Sequence, residues 1–526
     1  MGDTISLFRM ALWTAFVGIT MHLLVKLSSW FWGQYEIRKC TYAYWPSLPY
    51  HWFWGHYQLA AVIQKSPEKM IEFIKSATDK FSHGTALYVG PLITYVRVYH
   101  ENILKTILGG SEKNFPKTPT QYHAFGPWLG KGLLVLDGKE WQRRRRLLSN
   151  SFHFDILKSY AIKMNECSQV LVDKWSERLK SHDEMSVEIF CEFSLMTIDV
   201  ILKCLMGFDS ECHKEDSEHQ AYVNSIYKVT RCAAQRFRGS ILLRFDWIYY
   251  KTHDGKEYLK SSKDARDYAE KVINLRRKEY ADGATIGSKL GLNRKNNRHH
   301  DFLDILLQAK DSDGNHLTEK EISDEVNTFM FEGHDTTTSA ISWTCYCLAT
   351  NPKHQDLCYD EISEILGDKE DLELNDLTNL PYLTMCIKEA LRLYPPVPSI
   401  TRSPTSDLNV DGKIIKKGTD VILSMLGVHH NSRLWPNPEL YDPSRFTPEN
   451  SLKRDPFSYI PFSAGIRNCI GQNFAMNEIK ICVVHVLRNF HLALDETKLI
   501  TESLELIYRS RTGIHLIVKK RSHNNE

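Results

Sequence analysis

The sequence predicts a mainly α-helical protein with small β-sheets near both ends. Three observations carry this. Apolar residues recur at helical spacing from Glu140 to about Leu393. Runs rich in β-branched and aromatic residues, with turn signals inside them, gather before residue 100 and after residue 400. Ahead of both lies a separate apolar run, Met10–Val25.

That first run reads MALWTAFVGITMHLLV, with Arg9 before it and Lys26 after. A cleaved signal peptide and a membrane anchor both begin this way. A signal peptide needs a small-x-small site after its apolar core, whereas Lys26, Leu27 and the aromatic SSWFW follow here. Tryptophans suit a membrane–water interface. With its flanks from Ile5 the run approaches the ~20 residues that span a bilayer core, so the anchor is the favoured reading. Lys26, Arg38 and Lys39 lie on its C-terminal side, which predicts a cytosolic remainder.

The next elements follow from local chemistry. WPSLPYHWFWGH (45–56) spaces the anchor from the globular part with two prolines. ALYVGPLITYVRVY (86–99) reads as a β-hairpin turning at Gly90-Pro91. The helical region is interrupted by the polar, glycine-containing stretch 282–300, which reads as a loop. From Asp324 to Thr350 there is no proline, and Pro352 ends what reads as one long helix. Beyond residue 400, Asp411-Gly412 marks a hairpin turn, and Leu504–Lys520 reads as a second hairpin around Thr512-Gly513. No internal repeat is present.

Composition narrows the function. The 526 residues are 42% hydrophobic and 25% charged, with a formal charge of +2. That is ordinary globular usage, without the field of a nucleic-acid binder. No zinc-type cysteine pair or glycine-rich phosphate loop occurs. Twelve irregularly spaced cysteines in a long chain fit a reduced, cytosol-facing protein.

One segment carries distinctive chemistry. PFSAGIRNCIGQ (461–472) holds Phe462, Gly465, Arg467, Cys469 and Gly471 in the spacing F-x-x-G-x-R-x-C-x-G, directly before a helical pattern at 473–488. A cysteine at a helix N-terminus meets unpaired N–H groups and the positive end of the dipole, which favour a thiolate. Two glycines let backbone approach a flat ligand. A thiolate on iron promotes O–O cleavage.

This loop resembles the haem-binding signature of the cytochrome P-450 monooxygenases. Other parts agree with the resemblance. Glu389-Ala390-Leu391-Arg392 is the E-x-x-R of that superfamily, and Arg445 in DPSRF resembles the third member of its ion-pair triad. Trp141 and Arg145 form W-x-x-x-R, four apart on one helix face; with Arg402 and Arg467 they resemble ligands of the haem propionates. The neighbouring arginines of GKEWQRRRRLL read mostly as a solvated face that could meet an acidic redox partner. Asp335-Thr336 resembles the acid–alcohol pair that lies over the haem iron and delivers protons. Glu332, Asp335 and Thr336 fall on one broad helix face, and Gly333 opens room there, while His334 points elsewhere in a structural role. The resemblance implies a cytochrome P-450 fold, with haem between the long central helix and the helix after the cysteine loop. Because residues 141 to 471 must converge on one haem, the length prior of several domains gives way to an anchor and linker (1–44) and a single catalytic domain (45–526).

The stretch EVNTFMFEGHDTT (325–337) resembles more narrowly the motif of cytochrome P-450 family four, with Asn327 where Asp is usual and, in the cysteine loop, Ile466 where Pro is usual. That family contains fatty-acid omega-hydroxylases. In many members the glutamate at the position of Glu332 forms an ester with a haem methyl. An unbonded Glu332 would be a buried, protonated acid. The resemblance therefore implies a haem b enzyme, with a covalent link through Glu332 as an option. It implies O2 and a lipid or fatty acid as substrates, electrons from NADPH-cytochrome P-450 reductase, and an endoplasmic reticulum membrane location with the catalytic domain cytosolic. In-chain hydroxylation or epoxidation of lipids or small foreign molecules remains open, and a non-catalytic haem sensor is the contrasting class. Phe125, Trp128, Leu129, Phe237 to Phe245 and Val397 to Ile400 are the expected pocket walls.

Overall fold

The computed structural model describes residues 2–66, 68–89, 93–111, 113–208, 217–289, 301–310, 314–367, 369 and 372–521. Helices dominate, and the strands fall near both ends of the chain, as expected. The N-terminal helix spans Gly2–Tyr44, and its apolar side chains are exposed along most of its length. At 1.5 Å per residue it is about 65 Å long, about twice a bilayer core, so its C-terminal half extends beyond any span. Immediately after it, Trp45 is buried and donates its indole N–H to Ile414 O at 2.8 Å. The proline-spaced segment is thus docked on a sheet rather than free.

Eleven strands are described: β1 (Gly84–Val89), β2 (Ile93–Val98), β3 (Glu184–Glu188), β4 (Ser399–Arg402), β5 (Leu408–Val410), β6 (Lys413–Ile415), β7 (Asp420–Ser424), β8 (Phe490–Leu494), β9 (Glu502–Leu504), β10 (Tyr508–Ser510) and β11 (His515–Lys520). β1 and β2 form the expected antiparallel hairpin, and the sheet continues through β7, parallel to β2, to β4. The turn at 90–92 lies outside the described residues. β5 and β6 pair across Asp411-Gly412, both at positive φ, as a two-residue hairpin turn requires. The hairpin expected around Thr512-Gly513 is not formed. β10 pairs with β9, while β11 leaves for another sheet between β3 and β8. Leu516 and Val518 of β11 are wholly buried, and burial against both neighbours outweighs the local turn signal. The polar stretch read as a loop is helical through Lys289, where the helix from His253 ends; residues 290–300 lie outside the described residues.

The central helix, Glu319–Thr350, begins with a reciprocal cap: Thr318 Oγ1 accepts from Glu321 N, and Glu321 Oε2 accepts from Thr318 N at 2.8 Å. Its interior is buried nearly all round, so packing supports the threonine run that propensity disfavours. The helix Gln472–Asn489, which follows the cysteine loop, packs against it.

Candidate functional site

A cavity of about 450 Å3 lies between the central helix and the cysteine loop. It is mostly apolar, and Glu332 and Thr336 from the helix share its lining with Phe462, Arg467 and Cys469 from the loop. Trp141, Arg145 and Arg402 also line it. Eight of the nine expected site residues therefore meet in one chamber; Asp335 does not.

The loop's backbone explains its spacing. Gly465 has φ +73°, and a Cβ there would lie 1.9 Å from Leu108 O, so this glycine serves close packing on the neighbouring helix, not approach to a flat ligand. Cys469 N–H donates to Phe462 O at 2.9 Å, closing the loop. Gly471 precedes the helix, and its N–H favours a charged sulfur. Burial and the nearby Glu332 push the Cys469 thiol up to about 11, against the smaller pulls of the Gly471 N–H and Arg145. The sulfur is open to the cavity but lies deep in the protein, where desolvation outweighs the helix end. A metal cation at the sulfur would reverse that balance.

Around the chamber stand cations. Arg145 donates from Nη1 to Asn468 O and from Nη2 to Asn468 Oδ1, both at 2.9 Å. Arg467 pairs with Asp137, donates to Leu136 O at 2.9 Å, and lies 4.2 Å from the Trp141 ring centre. Arg402 is buried and donates to the Thr401 carbonyl. Sequence reading missed Lys117, which is buried, lines the same cavity and is held well below the usual lysine range by burial and by Arg402 and Arg467. It belongs to no motif, and only the fold brings it here. Sulfur on one wall, several cations for two carboxylates and apolar faces between them fit an iron porphyrin.

The basic run near Trp141 is not mainly a solvated face. Arg144 is buried and bonds Glu321 and Glu325 of the central helix at 2.6 Å each, and Arg143 joins Glu321. Only Arg146 of the four is exposed. The clustered arginines thus clamp one helix to another.

The polar centre of the long helix divides by direction. Glu332 and Thr336 are offset by about 40° and face the cavity, while Asp335 is about 100° from Thr336. Asp335 is fully buried and pairs with Arg509 of β10, while Oδ1 has no hydrogen-bond partner among the described residues. Burial raises its pKa, and Arg509 opposes that rise. Thr336 Oγ1 donates to Glu332 O at 2.7 Å. Gly333 does not open the cavity; a Cβ there would meet Ile201 Cδ1 at 2.3 Å, so it lets the helix Ile189–Cys204 approach. His334 bonds Ser194 Oγ at 2.9 Å in the same interface, the structural role expected. Glu332 is pushed up to about 7 by burial, with Lys117 and Arg145 pulling the other way.

Of the expected walls, Phe125, Phe237 and Val397 to Ile400 line the cavity. Trp128 and Leu129 lie behind it; Trp128 packs edge-on against Phe331 at 4.4 Å. Residues 239–245 are also absent from the lining, and Phe245 faces solvent. Behind the site, Glu389 and Arg392 are wholly buried and bonded at 2.7 and 2.8 Å, and Arg445 Nε lies 3.3 Å from Glu389.

Comparison with known proteins agrees with this arrangement. The model of the family described as Cytochrome P450 matches residues 46–517. The chain is 39% identical over 516 residues to cytochrome P450 4B1 of Rattus norvegicus, covering 98% of this chain and 97% of that protein. It is 40% identical over 455 residues to cytochrome P450 4F12 of Homo sapiens, 85% of each chain. It is 39% identical over 448 residues to a Homo sapiens protein named ultra-long-chain fatty acid omega-hydroxylase, 85% of this chain and 83% of that one.

Proposed function

The chain belongs to the cytochrome P450 family and is a haem-thiolate monooxygenase, and from that premise we propose that it hydroxylates fatty acids or related lipids at the terminal, omega carbon. The observation that carries this reading is the single apolar chamber in which Glu332 and Thr336 share the lining with Cys469. A terminal methyl C–H is stronger than an internal one, so selectivity for it must come from orientation and steric exclusion. The aromatic walls Phe125, Phe237 and Phe331 can supply that exclusion for a slender chain. The human relative named ultra-long-chain fatty acid omega-hydroxylase lends support.

Haem b, bound between the central helix and the cysteine loop, supplies the dioxygen-activating iron. Cys469 provides its sulfur ligand, and Trp141, Arg145, Arg402 and Arg467 hold its propionates, with Phe462 packed beside it. Arginine suits those carboxylates because it stays charged and binds them bidentately. Asp335 and Thr336 handle protons. Asp335 holds its carboxyl beside Arg509, away from the cavity, and the Thr336 hydroxyl, now on the Glu332 carbonyl, reaches the chamber by a χ1 rotation. A Glu332 ester to a haem methyl would stiffen the wall nearest the reacting carbon. The apolar helix anchors the chain, with the anchor and linker taken as 1–44 and the catalytic domain as 45–526. We place it on the endoplasmic reticulum membrane, catalytic domain cytosolic, receiving electrons from NADPH-cytochrome P-450 reductase.

The test is product analysis with a panel of straight-chain fatty acids in the presence of reductase. Terminal alcohols should dominate. A spread of internal alcohols, or no oxidation of any acid, would reject the reading.

A further inference from the structure

Six basic side chains line the chamber: Arg97, Lys117, Arg145, Arg238, Arg402 and Arg467. Only two acids do so, Glu332 and Glu505. Most of the cations have evident business. Arg467 pairs with Asp137, and Arg238 donates to Leu504 O at 2.9 Å with Glu505 nearby. Arg145 and Lys117 stand near Glu332, with Arg402 close to Lys117, and a porphyrin would bring two carboxylates to these three. Outside that group, Arg97 has no carboxylate partner among the described residues.

Arg97 sits on β2, inside the sheet between β1 and β7. It is 6% exposed. Among the described residues no carboxylate pairs with it, and its side-chain hydrogen bond is a long one, from Nη1 to Ser424 Oγ at 3.5 Å. Its Nε is buried with no partner. The sheet register places Arg97 opposite Ile422, and Ile422 opposite Thr401, so the three share one face. Thr401 Oγ1 is likewise buried without a partner. All three residues line the cavity. The nearest acid along the sheet, Asp420, is opposite Tyr95 and accepts from Thr120 at 3.2 Å; it also interacts with Arg244. Burial pushes the Arg97 guanidinium down to about 10, and Tyr99 is its one opposing influence.

A buried guanidinium lacking a counter-ion is costly, and a strand offers many cheaper residues. An entering carboxylate would form charge-assisted, bidentate hydrogen bonds with it. Apolar Met70 and Ile74 line the same cavity. Resting on the fatty-acid reading above, we propose that Arg97, with the Thr401 hydroxyl beside it, is the anchor for the substrate's carboxylate, so that the acid end is held at the β-sheet while the methyl end is presented near Cys469. On this assignment the enzyme measures its substrate from the acid group, and the chain's other end is selected by what is left over.

The test compares dodecanoate with its methyl ester, which keeps the chain and loses the charge. Binding is read from the substrate-induced shift of the haem absorption in the reconstituted holoenzyme, at fixed ionic strength. The unmodified protein should bind dodecanoate at least tenfold more tightly than methyl dodecanoate. Arg97→Gln should weaken dodecanoate at least tenfold and leave the ester within twofold, and Arg97→Lys should recover part of the loss. Equal affinity of the unmodified protein for acid and ester would overturn the anchor, whatever the variants do, while leaving the fatty-acid reading in place if both are hydroxylated at the end. Equal weakening of acid and ester in a folded Arg97→Gln protein would also overturn it. If neither compound bound, the fatty-acid reading and the anchor would fall together.

Discussion

Replacing Glu389 by Gln tests the lock behind the chamber. The carboxylate bonds Arg392 Nε and Nη2 at 2.8 and 2.7 Å, accepts the Asp442 N–H at 3.0 Å and faces Arg445 at 3.3 Å. Both Glu389 and Arg392 are 0% exposed, so the substitution leaves a buried cation uncompensated, a loss of ~3–5 kcal/mol. Arg392 keeps the carbonyls of His429, Pro438 and Leu440 at 2.8, 2.8 and 3.2 Å, which points to the lower end, ~3 kcal/mol. With an unfolding entropy of ~2 cal/mol/K per residue, the ~480 residues behind the anchor unfold with ~1 kcal/mol per degree. The expected fall in Tm is therefore ~3 °C. An ordinary surface pair three residues apart is worth a few tenths of a kcal/mol, or under ~0.5 °C. The assay is thermal unfolding of the full chain in detergent, followed by circular dichroism. A Tm within 1 °C of the unmodified protein would refute the argument that burial makes this pair a lock.

Three further outcomes are expected. Thr336→Ala, which removes the hydroxyl that rotates into the cavity, should lower product formation by ~10²-fold, the usual scale for a lost proton-transfer group, while NADPH consumption continues with peroxide release; tightly coupled turnover in the variant would exclude the role. After turnover, acidic organic solvent should leave much of the haem attached to the unmodified protein and strip it from Glu332→Ala, and complete extraction from the unmodified protein would end the ester proposal. Asp420 is held up to about 6 by burial, against its ordinary value of 3.8. Between those values the unfolded chain has released its proton and the folded chain has not, so the folded state binds more protons and stability falls as pH rises through the window. The integrated effect is ~2–3 kcal/mol. Asp420→Asn should flatten that fall, read as the urea midpoint at pH 4 and pH 7, and an unchanged slope would show that Asp420 titrates normally.

Much of the fold and of the site was legible along the chain because it depends on local patterns. The Asp411-Gly412 turn, the F-x-x-G-x-R-x-C-x-G loop and E-x-x-R are fixed spacings within one element or one turn. Their chemistry follows from periodicity, and the convergence of Trp141, Arg402 and Cys469 on one chamber followed from resemblance. What the sequence could not settle was direction across elements. Asp335 and Thr336 are adjacent in sequence but a quarter-turn apart in space, and only the arrival of Arg509 from β10 decides that Asp335 faces away. Gly333 looked like room for a ligand until Ile201 was placed against it, and the Arg143-Arg144 pair looked solvated until Glu321 and Glu325 came within reach. Lys117 and Arg97 carry no motif, because their significance lies in burial without a matching charge. By itself the sequence determined the helices and the thiol loop, since these rest on spacing and on residue type, and its resemblance to a known family implied the haem chemistry. The tertiary structure alone decided which charges are paired and which are left facing the cavity, because a Coulomb partner is a neighbour in space and leaves no trace in chain order.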